Sequence, residues 1–256
     1  MPPSTGLRAR VRAELISEIK DQARQQLADE GAPGISLRAI TRSMGMASSA
    51  IYRYFPSRDD LLTALIVDAY DSLGQVTEAA DADCLRDDFG ARWSAAGHAI
   101  RGWAQAHPNE YGLVYGSPVP GYRAPRDTIG SASRVTLVLA GIVADASASG
   151  ALSPPPYPLP PLSTPATAEA RRLVEAAFPG VTDETALRAV VAWTQLFGMV
   201  TFELFGHLEG VVVDRSPVFE RALLEMGAFV GLPLPGAPTT PATEQDHEEE
   251  SEWYLL

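Results

Sequence analysis

Residues 36–62 read SLRAITRSMGMASSAIYRYFPSRDDLL, and the fold is decided there. The spacing predicts a helix over about Leu37–Met44, a tight turn, a second helix and the start of a third. Ser36 is the expected N-cap, with a hydroxyl able to accept from an orphan backbone N–H. Gly45 follows Met44, where a left-handed residue must end the helix, and glycine takes that conformation without steric cost. Ser48 is the cap expected for the next helix. Leu37, Ile40, Met44, Ile51 and Phe55 recur at helical spacing and close a small core. The outward face keeps Ser48, Ser49, Tyr52, Arg53 and Tyr54. Hydroxyls and a cation on a short helix suit phosphates and base edges in a DNA major groove.

This stretch resembles the DNA-binding segment of the TetR family of transcriptional regulators. The resemblance rests on Ile40, on Gly45–Met46–Ala47–Ser48, on Ile51–Tyr52–Arg53–Tyr54–Phe55, and on the run Ser57–Leu62 at the start of the family's fourth helix. Thr41 stands where the family usually has alanine, and Met46 where valine is usual; both fit the volume. The resemblance implies an all-α fold, with an N-terminal three-helix helix-turn-helix head on a larger helical regulatory and dimerisation domain. It implies a homodimer that presents Ala47, Ser48, Ser49, Tyr52, Arg53 and Tyr54 to each half of a palindromic operator in double-stranded DNA. Ser36, Arg38 and Arg58 complete the candidate DNA-binding face. Arg38, Tyr52, Tyr54 and Arg58 suit the phosphate backbone, and Ser48 and Ser49 suit base edges. Arg58 falls where the family usually places a phosphate-touching lysine; its alternative is an exposed first-turn residue opposite Asp59 and Asp60.

Charge is distributed in keeping with that reading. The 256 residues carry a net charge of −12, which taken alone argues against nucleic acid. Residues 1–58, however, hold nine Lys and Arg against five Asp and Glu, a net of +4, which leaves −16 on the remainder. Positive charge lies where DNA would be contacted, and the acidic body is kept off it. The single cysteine, Cys84, excludes a disulfide framework and fits a reducing cytoplasm. The N-terminus lacks the apolar core of a signal peptide. The most apolar long run, residues 189–206, contains Gln195, Glu203 and two threonines, so it reads as a buried helix and no membrane partner is expected. No nucleophile elbow, Walker loop or dinucleotide fingerprint is present. His98, His107, His207 and His247 are scattered without metal-ligand spacing. The chain is therefore not expected to be an enzyme, nor to hold a cofactor or metal.

The expected layout is a DNA-binding head over 1–56, a connecting helix over 57–80, a ligand-binding and dimerisation domain over 81–232, and a disordered acidic tail over 233–256. Residues 1–7 read as disordered. Arg8, Arg10 and Arg12 open a first helix, either as an arm toward the DNA or as a solvated helix start. Val11, Leu15, Ile19, Ala23 and Leu27 pack that helix onto the head. Trp93, Ala96, Ile100 and Trp103 fall on one helical face. Residues 107–122 resemble the regulatory domain of a TetR subgroup named for Trp, His and Gly residues. The match lies in Trp103, His107, Pro108, Glu110, Tyr111, Tyr115, Gly116, Pro118, Val119, Pro120 and Gly121. A small-molecule effector is expected near Trp93, Trp103, Tyr111, Tyr115 and Phe197, unless these aromatics are plain core. A helix is expected over 133–148. The seven prolines of 152–165 read as an extended surface connection or as a proline-rich ligand for another protein. Two closing helices, over about 183–207 and 217–230, offer Trp193, Leu196, Val200, Leu204, Phe219, Leu223 and Met226 as a dimer interface or as an internal core. The tail is either solvated or docked on the body. The function this supports is a ligand-responsive regulator, a repressor released by a small molecule. The alternative is an effector-independent DNA-binding activator or architectural protein, and a filled interior rather than an aromatic-lined cavity would favour it.

Overall fold

The structure, a computed structural model, describes residues 4–154 and 160–237. Every regular element among them is helical. The helices are α1 (Ser4–Glu30), α2 (Leu37–Ser43), α3 (Arg58–Ala82), α4 (Phe89–Ala106), α5 (Pro108–Tyr115), α6 (Ile129–Ala148), α7 (Thr164–Ala177), α8 (Asp183–Leu204) and α9 (Arg215–Val230). Short 3₁₀ turns occupy Ala32–Gly34, Ile51–Arg53 and Arg126–Thr128. The chain forms two compact units, each drawn from three segments. The first takes Met1–Thr77, Ala99–Val135 and Val200–His207; the second takes Glu78–His98, Thr136–Met199 and Leu208–Leu256. The chain passes from one to the other inside α3, α4, α6 and α8.

In the first unit the head is closed by Ile19, Ala23, Leu27, Ile35, Leu37, Ile40, Ile51, Phe55, Leu61, Leu62 and Leu65. Ser36 caps α2, its Oγ accepting from the Ala39 N–H at 3.4 Å, and its own N–H donates to Gln26 Oε1 at 2.9 Å. Gly45 adopts φ +64° and turns the chain away from α2. Thr41 is fully buried in place of the family's alanine, and its hydroxyl donates back to the Arg38 carbonyl at 2.9 Å. Lys20 and Arg24 of α1 both pair with Asp68 of α3, at 2.8 and 2.9 Å. Elsewhere in this unit Arg101 and Glu203 form a largely buried two-pronged pair at 2.7 Å for each bond, joined by Gln105 at 3.0 Å.

In the second unit α9 lies against α4. Phe219, Leu223, Met226 and Val230 are buried in line. Trp93 Nε1 donates to the Leu223 carbonyl at 3.1 Å. Gly97 permits the approach, since a Cβ there would meet Leu223 Cδ2 at 2.4 Å. Gly231, at φ +103°, ends α9; Leu232 N–H returns to the Gly227 carbonyl and Gly231 N–H to that of Ala228, as in a Schellman cap. Arg92 is buried between Asp81, at 2.7 Å, and Asp145, at 2.9 Å. Burial alone would raise the Asp81 carboxyl, but hydrogen bonds and charge from Arg92 and Arg86 outweigh it and hold it below its ordinary range.

Three sequence expectations change. The segment after the prolines is helical, and Pro165 lies in the first turn of α7, where its missing N–H leaves nothing unsatisfied. Residues 155–159, at the centre of the proline run, lie outside the described residues. Residues 233–237, expected to begin a disordered tail, instead lie against the start of α4. Gly236 N–H donates to Asp88 at 2.9 Å, and a Cβ on Gly90 would sit 2.3 Å from the Pro233 carbonyl. The rest of the acidic tail, 238–256, lies outside the described residues. Finally, α1 begins at Ser4, within the stretch expected to be disordered, while residues 1–3 are not described.

Two helical stretches, Arg126–Ala148 and Asp183–Leu204, are long and apolar enough by length and composition to cross a membrane. Several of their polar residues have protein partners: Arg134 bonds Asp71 at 3.0 Å, Arg188 Nη2 donates to Thr185 at 3.2 Å, and Glu203 bonds Arg101. Leu139, Ile142, Leu196 and Val200 are buried within the protein, the pattern of core helices.

Candidate nucleic-acid interface and regulatory cavity

The expected second helix of the head is a turn over Ala47–Ala50 followed by the 3₁₀ turn Ile51–Arg53. The shortening has local causes. Ala47, Ser48, Ser49 and Ala50 offer no apolar anchor before Ile51, and the following Tyr, Arg, Tyr and Phe run into Pro56, which pushes Phe55 out of helical backbone. Ile51 and Phe55 are nonetheless buried, so the segment is held by its core contacts.

That anchoring leaves one face to solvent. Arg38, Ala47, Ser48, Ser49, Tyr52 and Arg53 are exposed, Tyr52 at 45%. Tyr54 is half-buried; its ring packs on the head core and carries the Arg12 guanidinium 5.1 Å above it. Arg12 also donates to the Arg53 carbonyl at 3.3 Å. This arginine of α1, left open between DNA arm and solvated helix start, is thus in place as a brace behind the reading segment. Arg42, in the last turn of α2, is exposed beside the same turn and was not among the expected contacts. Its signal was positional: a cation one turn from Arg38 on an exposed helix face. Arg38, Arg42 and Arg53 form no salt bridge among the described residues, so their charge faces outward.

Two of the candidates are tied inward. Ser36 is spent on the α2 cap. Arg58 donates from Nε to the Ile35 carbonyl at 3.1 Å and from Nη2 to the Ala32 carbonyl at 2.7 Å, while Nη1 lies 3.7 Å from Asp59. Arg58 therefore fixes the loop that precedes α2. A lysine has one nitrogen and cannot span both carbonyls this way.

The aromatic candidates divide. Trp103, Tyr111 and Tyr115 lie in the first unit. Trp103 stacks on His107 at 4.9 Å and donates to Ser72 at 2.9 Å. Tyr111 is fully buried, bonded to Thr201 at 2.9 Å, and lies 5.1 Å from Tyr115, whose ring also meets Tyr70 edge-on at 5.9 Å. Burial pushes the Tyr115 hydroxyl well above its ordinary range. Trp93 instead lines a cavity of about 170 Å³ in the second unit, with Thr136, Leu139 and Ala140 of α6, Leu173 and Ala177 of α7, Phe178, and Ala189, Val190 and Trp193 of α8. Phe197 is buried nearby in sequence, its ring 5.9 Å from that of Trp193, but does not line the cavity.

Of the residues offered as a dimer interface, Leu196, Val200, Phe219, Leu223 and Met226 are buried inside the chain itself. Trp193 is half-buried on the cavity wall, and Leu204 is half-buried. The apolar stripes serve as internal core, the second of the two readings the sequence allowed. The solvent side of α8 carries Val191, Thr194 and Gln195, and that of α9 carries Val218, Arg221 and Glu225.

Comparison with known proteins accords with this anatomy. The family described as bacterial regulatory proteins, tetR family, matches residues 19–65, the span from mid-α1 to early α3. The family described as Tetracyclin repressor-like, C-terminal domain, matches residues 93–226. HTH-type transcriptional regulators of Mycobacterium tuberculosis and Mycobacterium bovis are each 38% identical over 218 residues, 84% of this chain and 92% of theirs. A crystal structure described as that of a regulatory protein is 34% identical with a TM-score of 0.69, covering 88% of this chain and 98% of the other. A tetR family transcription regulator from a Shewanella species, 18% identical, shares the fold with a TM-score of 0.54 over 82% of this chain and 94% of the other. With an exposed arginine-and-hydroxyl face on a matching head, and a matching C-terminal domain, the chain belongs to the TetR family of DNA-binding transcriptional regulators, proteins that are not enzymes.

Proposed function

We propose that this regulator is a ligand-responsive repressor that binds a palindromic operator as a homodimer and is released by a small molecule. The observation that carries the ligand-responsive part is the partly open, almost wholly apolar cavity of about 170 Å³ walled by α4, α6, α7 and α8. A regulator without an effector has no use for such a void, because unfilled apolar volume forfeits packing energy. Three of the wall helices, α4, α6 and α8, continue into the unit that contains the head. A ligand that binds one arrangement of those helices better than another biases the head between reading and released states.

Dimerisation follows from energetics. Ser48, Ser49, Tyr52 and Arg53 on two short consecutive turns supply little binding energy alone, and two-fold symmetry doubles it on a palindrome. The dimer would use the solvent side of α8 and α9, at Val191, Thr194, Val218 and Arg221, since the apolar stripes are already covered. Operator DNA places the working protein in the cytoplasm.

The test is a gel-shift titration of DNA from upstream of the protein's own coding region, at several salt concentrations and with a small-molecule screen. Salt-dependent binding of a palindromic fragment, relieved by at least one compound, is the expected result. Absence of any salt-dependent binding would sink the repressor reading; binding that no compound relieves would favour the effector-independent reading.

A further inference from the structure

The arginines differ in where their counter-charges come from. Every arginine of the second unit has a carboxylate of its own chain within 4.0 Å. The arginines that form no ion pair among the described residues all lie in the first unit. They include Arg38, Arg42 and Arg53 on the reading face, and Arg8 and Arg10 at the exposed start of α1. A guanidinium cannot shed its proton, so these side chains stay charged and repel one another until an anion meets them.

The anion need not be DNA. Residues 244–252 read EQDHEEESE, with six carboxylates and no lysine or arginine. Glu244, Asp246, Glu248, Glu250 and Glu252 fall at every second position. The chain just before them is held in place, since Gly236 N–H donates to Asp88 at 2.9 Å. From Ala237 the chain reaches at most about 25 Å by Glu244 and at most about 50 Å by Glu252. Within that reach, tethering supplies the carboxylates at a roughly millimolar effective concentration, so ion pairs that are individually weak hold them on a matching surface. The second unit has no unpaired arginine to offer them, and the reading face has three.

We propose that residues 244–252 dock on the reading face in the DNA-free protein, their carboxylates against Arg38, Arg42 and Arg53, and that DNA must displace them. The proposal rests on the assignment of that face to DNA. Laid along the face, carboxylates at every second position point to one side and make a row of negative charge that stands in for phosphates. The competition bears hardest on non-specific DNA, which is held by charge alone; a sequence that adds base contacts overcomes it. The acidic segment thereby gives up affinity for specificity.

Two measurements on the full chain test this. The first compares the parent with a variant carrying Glu244→Gln, Asp246→Asn, Glu248→Gln, Glu249→Gln, Glu250→Gln and Glu252→Gln. The variant should bind a short duplex of arbitrary sequence at least about tenfold more tightly at low salt, and the two proteins should converge as salt screens the charges. The second places a photo-cross-linker on the face, Tyr52→p-benzoylphenylalanine, in the otherwise unchanged chain. Irradiation without DNA should join position 52 to peptides from residues 238–256, and saturating duplex should suppress that product. A variant that binds DNA no more tightly than the parent overturns the proposal. So does tighter binding with no cross-link to residues 238–256, the mark of a segment that stays in solvent and repels DNA by net charge alone. A cross-link that persists while DNA is bound overturns it as well. If the cross-link forms but neither protein binds any duplex at low salt, the docking stands and the assignment of the face to DNA falls.

Discussion

At the scale of single residues, the head separates side chains that read from side chains that hold. Tyr52 and Arg53 are exposed and support nothing behind them, so Tyr52→Ala or Arg53→Ala should lower DNA affinity at least about tenfold with an unchanged melting temperature. Arg38→Ala should weaken binding on all sequences alike and reduce the slope of log affinity against log salt by about one, as expected for one lost phosphate contact. Arg58 behaves differently. Its donors are committed to the Ile35 and Ala32 carbonyls. Arg58→Ala should cost about 2 kcal/mol of stability, read by urea denaturation, and any loss of DNA binding should accompany that loss of stability. The sequence pattern could place Arg58 beside DNA by resemblance, but it could not reveal two carbonyls waiting within reach. Those carbonyls exist because Gly31, Pro33 and Gly34 turn the chain after α1.

At the scale of elements, local signals were legible and tertiary ones were not. Leu37, Ile40, Ile51 and Phe55 could be read as one core because their contacts lie within a short segment whose caps, Ser36 and Gly45, are written beside them. Residues 164–177 passed unread as a helix: TPATAEARRLVEAA has few large apolar residues, and the prolines before it obscure a start signal at Ser163 to Pro165. The cavity was harder still. Trp93, Phe178 and Trp193 come from separated parts of the chain, and only packing brings them to one space, whereas Trp103, Tyr111 and Tyr115 lie close together in the sequence and do not line it. Packing also supplies tests. Gly90→Ala would drive a Cβ into the backbone of residues 233–235, costing about 1–3 kcal/mol and lowering the melting temperature. The Asp81–Arg92–Asp145 group gives an acid signature. Because the Asp81 carboxyl is lowered in the folded state, its contribution is present above the ordinary carboxylate range and is lost as pH falls through the lowered value. Asp81→Asn should therefore melt lower near neutral pH, and its stability should fall less steeply than that of the parent below about pH 4.

Across the whole molecule, charge and apolar volume divide the labour. The +4 of residues 1–58 against −16 elsewhere directs the protein onto DNA by one end and predicts association that weakens steeply with salt. Replacing Glu203 by Gln would remove the negative charge from the largely buried Arg101–Glu203 pair. That should cost about 3 kcal/mol, seen as an earlier thermal transition, without altering the salt dependence of DNA binding. The cavity has a further consequence for how the protein can be studied. Two of its four tryptophans, Trp93 and Trp193, line one small space, contributed by α4 and α8. Indole emission responds to its immediate surroundings, so the molecule carries an optical gauge of its own occupancy. A guest entering that space should change the native fluorescence in proportion to the fraction of sites filled, with no dye or tag attached.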